Sequence, residues 1–185
     1  HIISYTSNLQ ASSQIIDINM NNIIKSCRNI AGDERLQNEL LANKAKDFQF
    51  YFRPGSTQVF DEVVKKEFLP NTIIDSLFIF DNNGRMYYYS RRDLTGLIHE
   101  SIPIFNISDR DWYKIAFSNE GKEIFFSYNV INPENNNDTF SCVKLLKNIS
   151  NFSKIGLLVL NIKKSFFDQC FPKSNQVANI EIGTY

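Results

Sequence analysis

The chain is poor in the residues that build the familiar chemistries. It has only two histidines, His1 and His99, and three widely separated cysteines, Cys27, Cys142 and Cys170. With no C-x-x-C pair, those cysteines exclude a disulfide framework and a cysteine-rich metal site. Small buried thiols are the expected state, and a single disulfide stays open. His99 stands beside Glu100 without an H-x-x-H or H-E-x-x-H partner, so no metal site is expected. No G-x-S-x-G or comparable context supplies a nucleophile for a His99 base. The seven glycines are scattered singly, which excludes a phosphate-cradling loop. An excess of one charge is missing too: twenty Lys and Arg balance twenty Asp and Glu. That balance gives no field to attract nucleic acid or an anionic membrane surface. No run approaches the roughly 20 apolar residues that cross a bilayer. Neither catalysis nor a cofactor is expected.

What is present is a folded chain with a helical opening. A hydrophobic fraction of 43%, an aromatic fraction of 14% and sixteen Phe can bury a sizeable core. Ile2, Leu9, Ile16, Ile23 and Ile30 fall at successive seven-residue spacings, widened by Met20 and Cys27. No Pro or Gly intervenes before Gly32. The pattern predicts one amphipathic helix of roughly 45 Å. It either lies along the domain or forms a stalk that pairs with its twin, and the two readings are compatible. Asp33 is the candidate N-cap of a second helix with Leu36, Leu40 and Leu41 as its apolar face. A third helix is expected from Thr57 to Phe68, ended by Pro70.

From Ile73 the period becomes strand-like. Ile73–Phe80 and Met86–Ser90 flank Asn82-Asn83-Gly84, a hairpin signal because Asn and Gly tolerate positive φ. After a loop from Arg91 to Ser108, Asp109 is the expected cap of a helix through Trp112, Tyr113, Ala116 and Phe117. Strands are expected at Lys122–Val130, Thr139–Asn148 and Lys154–Ile162, then a closing helix at Lys163–Cys170, stopped by Pro172. Short connections favour antiparallel pairing, so the fold class is α+β with one five-stranded antiparallel sheet. The helices would cover one face, and the excursion between the second and third strands would arch over the other. A small ligand would fit between sheet and arch.

Four segments carry a resemblance to a known family. They are the heptad-bearing helix; Leu77-Phe78-Ile79-Phe80-Asp81-Asn82-Asn83-Gly84-Arg85-Met86 with its D-x-x-G turn; Asp109-Arg110-Asp111-Trp112-Tyr113, which looks like an R-x-W-Y element; and Gly156-Leu157-Leu158-Val159-Leu160-Asn161-Ile162, similar to a "G-hydrophobic-D-I" strand. Together they resemble the Cache family, the PAS-like extracytoplasmic sensing domains of bacterial histidine kinases and chemoreceptors. The helix's Ser, Asn and Thr faces are more similar to the kinases of Gram-positive bacteria. The resemblance implies a stalk at residues 1–32, a PAS-like sensing domain at 33–172, and at 173–185 a linker and the start of a second lobe. It also implies a membrane-anchored parent, a sensor histidine kinase or alternatively a chemoreceptor, that pairs as a homodimer through the long helix, while the sensing domain itself is not an enzyme.

In amino-acid-binding members the motif's Arg, Trp and Tyr hold the ligand with a downstream Tyr and Asp. The resemblance therefore points to Arg110, Trp112, Tyr113 and Tyr128. A guanidinium fork matches a carboxylate, and aromatic rings can box an ammonium group. Phe105 stands where those members have a Tyr, so a hydroxyl is lost. Only Asn148 or Asn151 stands near the Asp position, and an amide supplies no counter-charge. A carboxylate-bearing or neutral ligand, or none, is expected over a standard α-amino acid. Two alternatives stay open. Trp112 and Tyr113 can be core, with Arg110 paired to Asp109 or Asp111. The domain can also be a docking module for a solute-binding protein, with Tyr87, Tyr88 and Tyr89 as the contact.

Overall fold

Thirty residues free of Pro and Gly form α1, Ile2–Ala31, and the chain turns at Gly32, whose N–H reaches the Arg28 carbonyl at 2.8 Å. The computed structural model describes residues 2–42, 57–82, 85–91, 107–134 and 138–170. Along the heptad line Ile23, Cys27 and Ile30 are buried, Ile16 and Met20 pack partly against them, and Leu9 is exposed. The line thus meets the domain only in its second half. Ile15 and Ile18 are exposed and, by helical angle, lie on another face. Among the described residues no helix is long and apolar enough to cross a membrane.

Asp33 starts α2 (Glu34–Ala42) as the sequence suggests: its carboxylate accepts the backbone N–H of Arg35 at 3.0 Å and of Leu36 at 3.2 Å. The buried Gln37 then joins three segments. Its amide donates to the carbonyls of Ala31 (2.7 Å) and Lys147 (2.9 Å), and its oxygen accepts the Ile149 N–H (3.0 Å). Helix α3, Thr57–Phe68, completes this layer.

Five strands form one antiparallel sheet: β1 Ile74–Asp81, β2 Met86–Ser90, β3 Ile124–Phe126, β4 Thr139–Lys147 and β5 Lys154–Lys163. Their spatial order is β2-β1-β5-β4-β3. The most apolar strands, β1 and β5, are buried almost throughout and occupy the inner positions. Helix α4 (Asp111–Ser118) follows a single 3-10 turn, and α5 (Ser165–Cys170) follows β5.

Period-2 alternation separates the two faces of the sheet. Leu77, Ile79, Tyr87, Cys142, Leu158 and Leu160 pack with α1, α2, α3 and α5. Phe78, Phe80, Met86, Val143, Leu145, Leu157 and Val159 pack instead with Trp112 and Ala116 of α4. Helices on one face and the α4 excursion on the other match the expected arrangement.

Three expectations need correction. The strand expected over Lys122–Val130 is only Ile124–Phe126. Asn129 takes the N–H groups of Ile131 (3.0 Å) and Asn132 (3.1 Å) on its side-chain oxygen, bending the chain out of the ladder. Tyr128 is therefore not on a strand. Arg110, not Asp109, is the extended N-cap residue of α4, and its side chain makes no cap bond. The closing helix starts at Ser165 because Lys163 still pairs with Thr139 in the sheet. Residues 173–185 and the Asn83-Gly84 step lie outside the described residues.

Candidate functional site

On the α4 side, strand register sorts the sheet into three rows. Met86, Phe80, Leu157 and Leu145 form one row, and Tyr88, Phe78, Val159, Val143 and Ile124 the next. The third row is polar on four strands, with Ser90 on β2, Ser76 on β1, Asn161 on β5 and Ser141 on β4 opposite one another, and ends in Phe126 on β3. All four polar residues are buried. Four residues of extended chain, roughly 13 Å, separate Ser76 from Phe80.

The polar row is a directed chain of hydrogen bonds. The Val130 N–H donates to Ser141 Oγ at 3.0 Å, and that hydroxyl donates to Asn161 Oδ1 at 2.7 Å. Asn161 Nδ2 then donates to Ser76 Oγ at 3.0 Å. Among the described residues no acceptor takes the Ser76 hydroxyl proton, so the chain ends in a donor on β1. Asn129 flanks the β4 end, its amide donating to Thr139 Oγ1 at 3.0 Å. A buried polar group costs free energy unless it is paired. Here every step from Val130 to Ser76 is paired without any charged group.

The apolar end of the same face lies under α4. Trp112 is 5% exposed, with its ring centroid 6.4 Å from Phe80 and 6.0 Å from Tyr113. Tyr113 is half-buried and stacked on Phe117 at 5.6 Å. Burial first, and then the Asp81 carboxylate, push the Tyr113 hydroxyl above the usual tyrosine range. Lys154 fixes the end of α4, donating to the Phe117 carbonyl at 2.7 Å and lying 4.4 Å over its ring. Asp81 itself is engaged by Arg85: its two oxygens accept the Arg85 N–H at 2.8 Å and Nε at 2.6 Å.

The residues expected from sequence are therefore dispersed. Arg110, Trp112 and Tyr113 come together at the start of α4. Arg110 is exposed and forms no ion pair with Asp109 or Asp111, and Trp112 sits in the core. Tyr128 is 40% exposed and meets Phe126 edge-on, at 5.9 Å. Asn148 is elsewhere. It lines an open groove of about 510 Å³ with Arg28, Gln37 and Lys144 on the helical side, and its side-chain oxygen accepts the Ser150 N–H at 2.7 Å. Phe105 lies outside the described residues. The tyrosine triplet is not an exposed contact: Tyr87 is buried and donates to Asp61 at 2.5 Å, Tyr88 packs on Phe78, and Tyr89 meets Phe68 edge-on.

The sequence reading missed Asn161, Ser141, Ser76 and Ser90. One signal was there. Asn161 is the sole polar residue inside Ile155–Ile162, at the Asp position of the strand pattern, while Asn148 and Asn151 drew attention by lying in a polar turn. Among the described residues no group of three or more His, Cys, Asp or Glu could hold a metal ion.

No family model and no curated protein sequence matches the chain. Solved structures do share the fold. The ligand-binding domain of the Campylobacter jejuni chemoreceptor Tlp3 in complex with L-valine superposes on 90% of this chain with a TM-score of 0.50 and 13% identity. The same domain in complex with 4-methylisoleucine also gives 0.50 over 90% of the chain, at 13% identity. This chain spans 64% and 62% of those chains, just under two thirds of their length. The likeness at such low identity is one of fold, α+β and PAS-like with a five-stranded antiparallel sheet.

Proposed function

We propose that this chain is the small-molecule-sensing domain of a membrane receptor, lying outside the cytoplasm, and that it binds without catalysing. The observation that carries the reading is the uncharged chain from Val130 through Ser141 and Asn161 to Ser76, buried on the sheet face that α4 covers. An apolar row there would pack as well, so a polar row ending in a donor is suited to hold an acceptor. Trp112 and Tyr113 provide an apolar and aromatic boundary at the other end of that face. Arg110, exposed and without an acidic partner among the described residues, is suited to a ligand carboxylate. The ligand class that fits is a small carboxylate-bearing or neutral molecule with an aliphatic or aromatic body.

The likeness to a chemoreceptor domain that binds L-valine supports this reading, and it favours a chemoreceptor output over the histidine kinase suggested by the faces of α1. In the parent receptor, α1 is proposed to pair with its twin, because Leu9, Ile15 and Ile18 leave apolar side chains on it uncovered. A ligand signals by preferring one packing of sheet and α4 against α1 over another.

A thermal-shift screen of amino acids, their deaminated acids, amines and sugars tests the reading. A ligand at a hundred times its Kd adds about 2.7 kcal/mol, roughly 5–10 °C for a chain of this size. A hit that vanishes in both Arg110→Ala and Asn161→Leu supports the site. No hit in any class, or one unaffected by both substitutions, overturns it.

A further inference from the structure

Two thiols from different elements meet inside the helical-side core. Cys27 lies near the end of α1 and Cys142 lies on β4. Both are fully buried, and their sulfurs are 3.7 Å apart, in van der Waals contact. The segments beside them are anchored to each other. Arg28, next to Cys27, holds Glu123 with Nε at 3.1 Å, and Lys144, two residues beyond Cys142, holds the same carboxylate at 2.9 Å. Cys170 is not part of the pair; its carbonyl receives the Ser12 hydroxyl. A disulfide requires a sulfur separation near 2.05 Å, so about 1.7 Å remains to be closed.

We propose that Cys27 and Cys142 form a disulfide when the chain folds under oxidising conditions, fixing the end of α1 to β4. Two S–H bonds break and one S–S bond forms. The two electrons and two protons pass to a small-molecule disulfide such as oxidised glutathione, which departs as two thiols after a mixed-disulfide step. In the folded dithiol, the hydrogen bond with Cys142 and full burial hold the Cys27 thiol well above its ordinary value. The thiolate needed for exchange is therefore scarce once α1 has docked, and the link forms during folding. It removes sliding of the last turns of α1 over the sheet while leaving the α4 face free. The proposal is independent of what that face binds.

The test is to refold the reduced chain in mixed reduced and oxidised glutathione, then denature it and count free thiols with a maleimide. The expected result is one label, on Cys170, and a peptide joining Cys27 to Cys142, against three labels for chain refolded in dithiothreitol. Cys142→Ser should carry two labels under both conditions. Counting is done in denaturant, so a variant that folds poorly still reads. Closing so long a loop should raise the folded-to-unfolded ratio on the order of a thousandfold, and dithiothreitol should abolish the gain. Three labels after oxidative refolding, a link that includes Cys170, or a denaturation midpoint indifferent to reductant overturns the proposal.

Discussion

Replacing Asn161 with leucine deletes an amide that is 1% exposed and leaves a side chain of similar size on the same strand. Two hydrogen bonds are lost, one from Ser141 at 2.7 Å and one to Ser76 at 3.0 Å. Each contributes about 1 kcal/mol net, and a buried hydroxyl left without its partner costs about 1–3 kcal/mol more. Ser141 keeps the Val130 N–H as a donor, so its loss falls at the low end. The new leucine recovers about 1–2 kcal/mol by burial. The expected net destabilisation is about 2–5 kcal/mol. Urea melts followed by fluorescence suit the measurement because Trp112 is the sole tryptophan and lies on the same face. The midpoint should fall with an unchanged slope. Adding Ser76→Ala removes one orphaned hydroxyl and should restore part of the loss, since removing both partners costs less than removing one. A change under about 0.5 kcal/mol, typical of a surface position, or a double variant less stable than the single one, would refute the hydrogen-bonded row as the source of stability.

Three further predictions concern the frame around the site. Burial alone would raise the Glu123 carboxyl, but hydrogen bonds from Arg28 and Lys144 win and hold it at about 2. Its folded value lies below its unfolded one, so its contribution is complete above about pH 4.5 and is lost as pH falls toward 2, amounting to about 3 kcal/mol at most. Glu123→Gln should flatten acid unfolding in that window, and an identical acid limb in the variant would contradict the assignment. Gln37→Ala leaves the Ala31 and Lys147 carbonyls and the Ile149 N–H unpaired and should cost about 2–3 kcal/mol by denaturant melt; a loss below about 0.5 kcal/mol would mean water replaces it. At Gly156 a Cβ would lie 2.1 Å from the Phe80 carbonyl oxygen, so Gly156→Ala must push β5 from β1. Soluble yield should drop, with a loss of about 3 kcal/mol or more, and a wild-type melting point would disprove the close approach.

The sequence by itself determined the elements. The heptad line of α1, the Asp33 cap, the change to period 2 at Ile73 and the apolar run of β5 are local patterns, readable because each follows from backbone geometry and side-chain polarity. The same locality made Arg110, Trp112 and Tyr113 legible, since they are neighbours on one helix. Only the tertiary structure decided that β5 lies between β1 and β4, because the β1–β5 pairing joins segments some eighty residues apart and is set by burial of the two most apolar strands. Ser76, Ser141 and Asn161 become one row only through that register. Asn148, polar and turn-forming, looked like a ligand contact in sequence and is a hairpin residue on the helical side. The Cys27–Cys142 contact arises in the same way: a heptad position and a strand position meet only when α1 docks on the sheet.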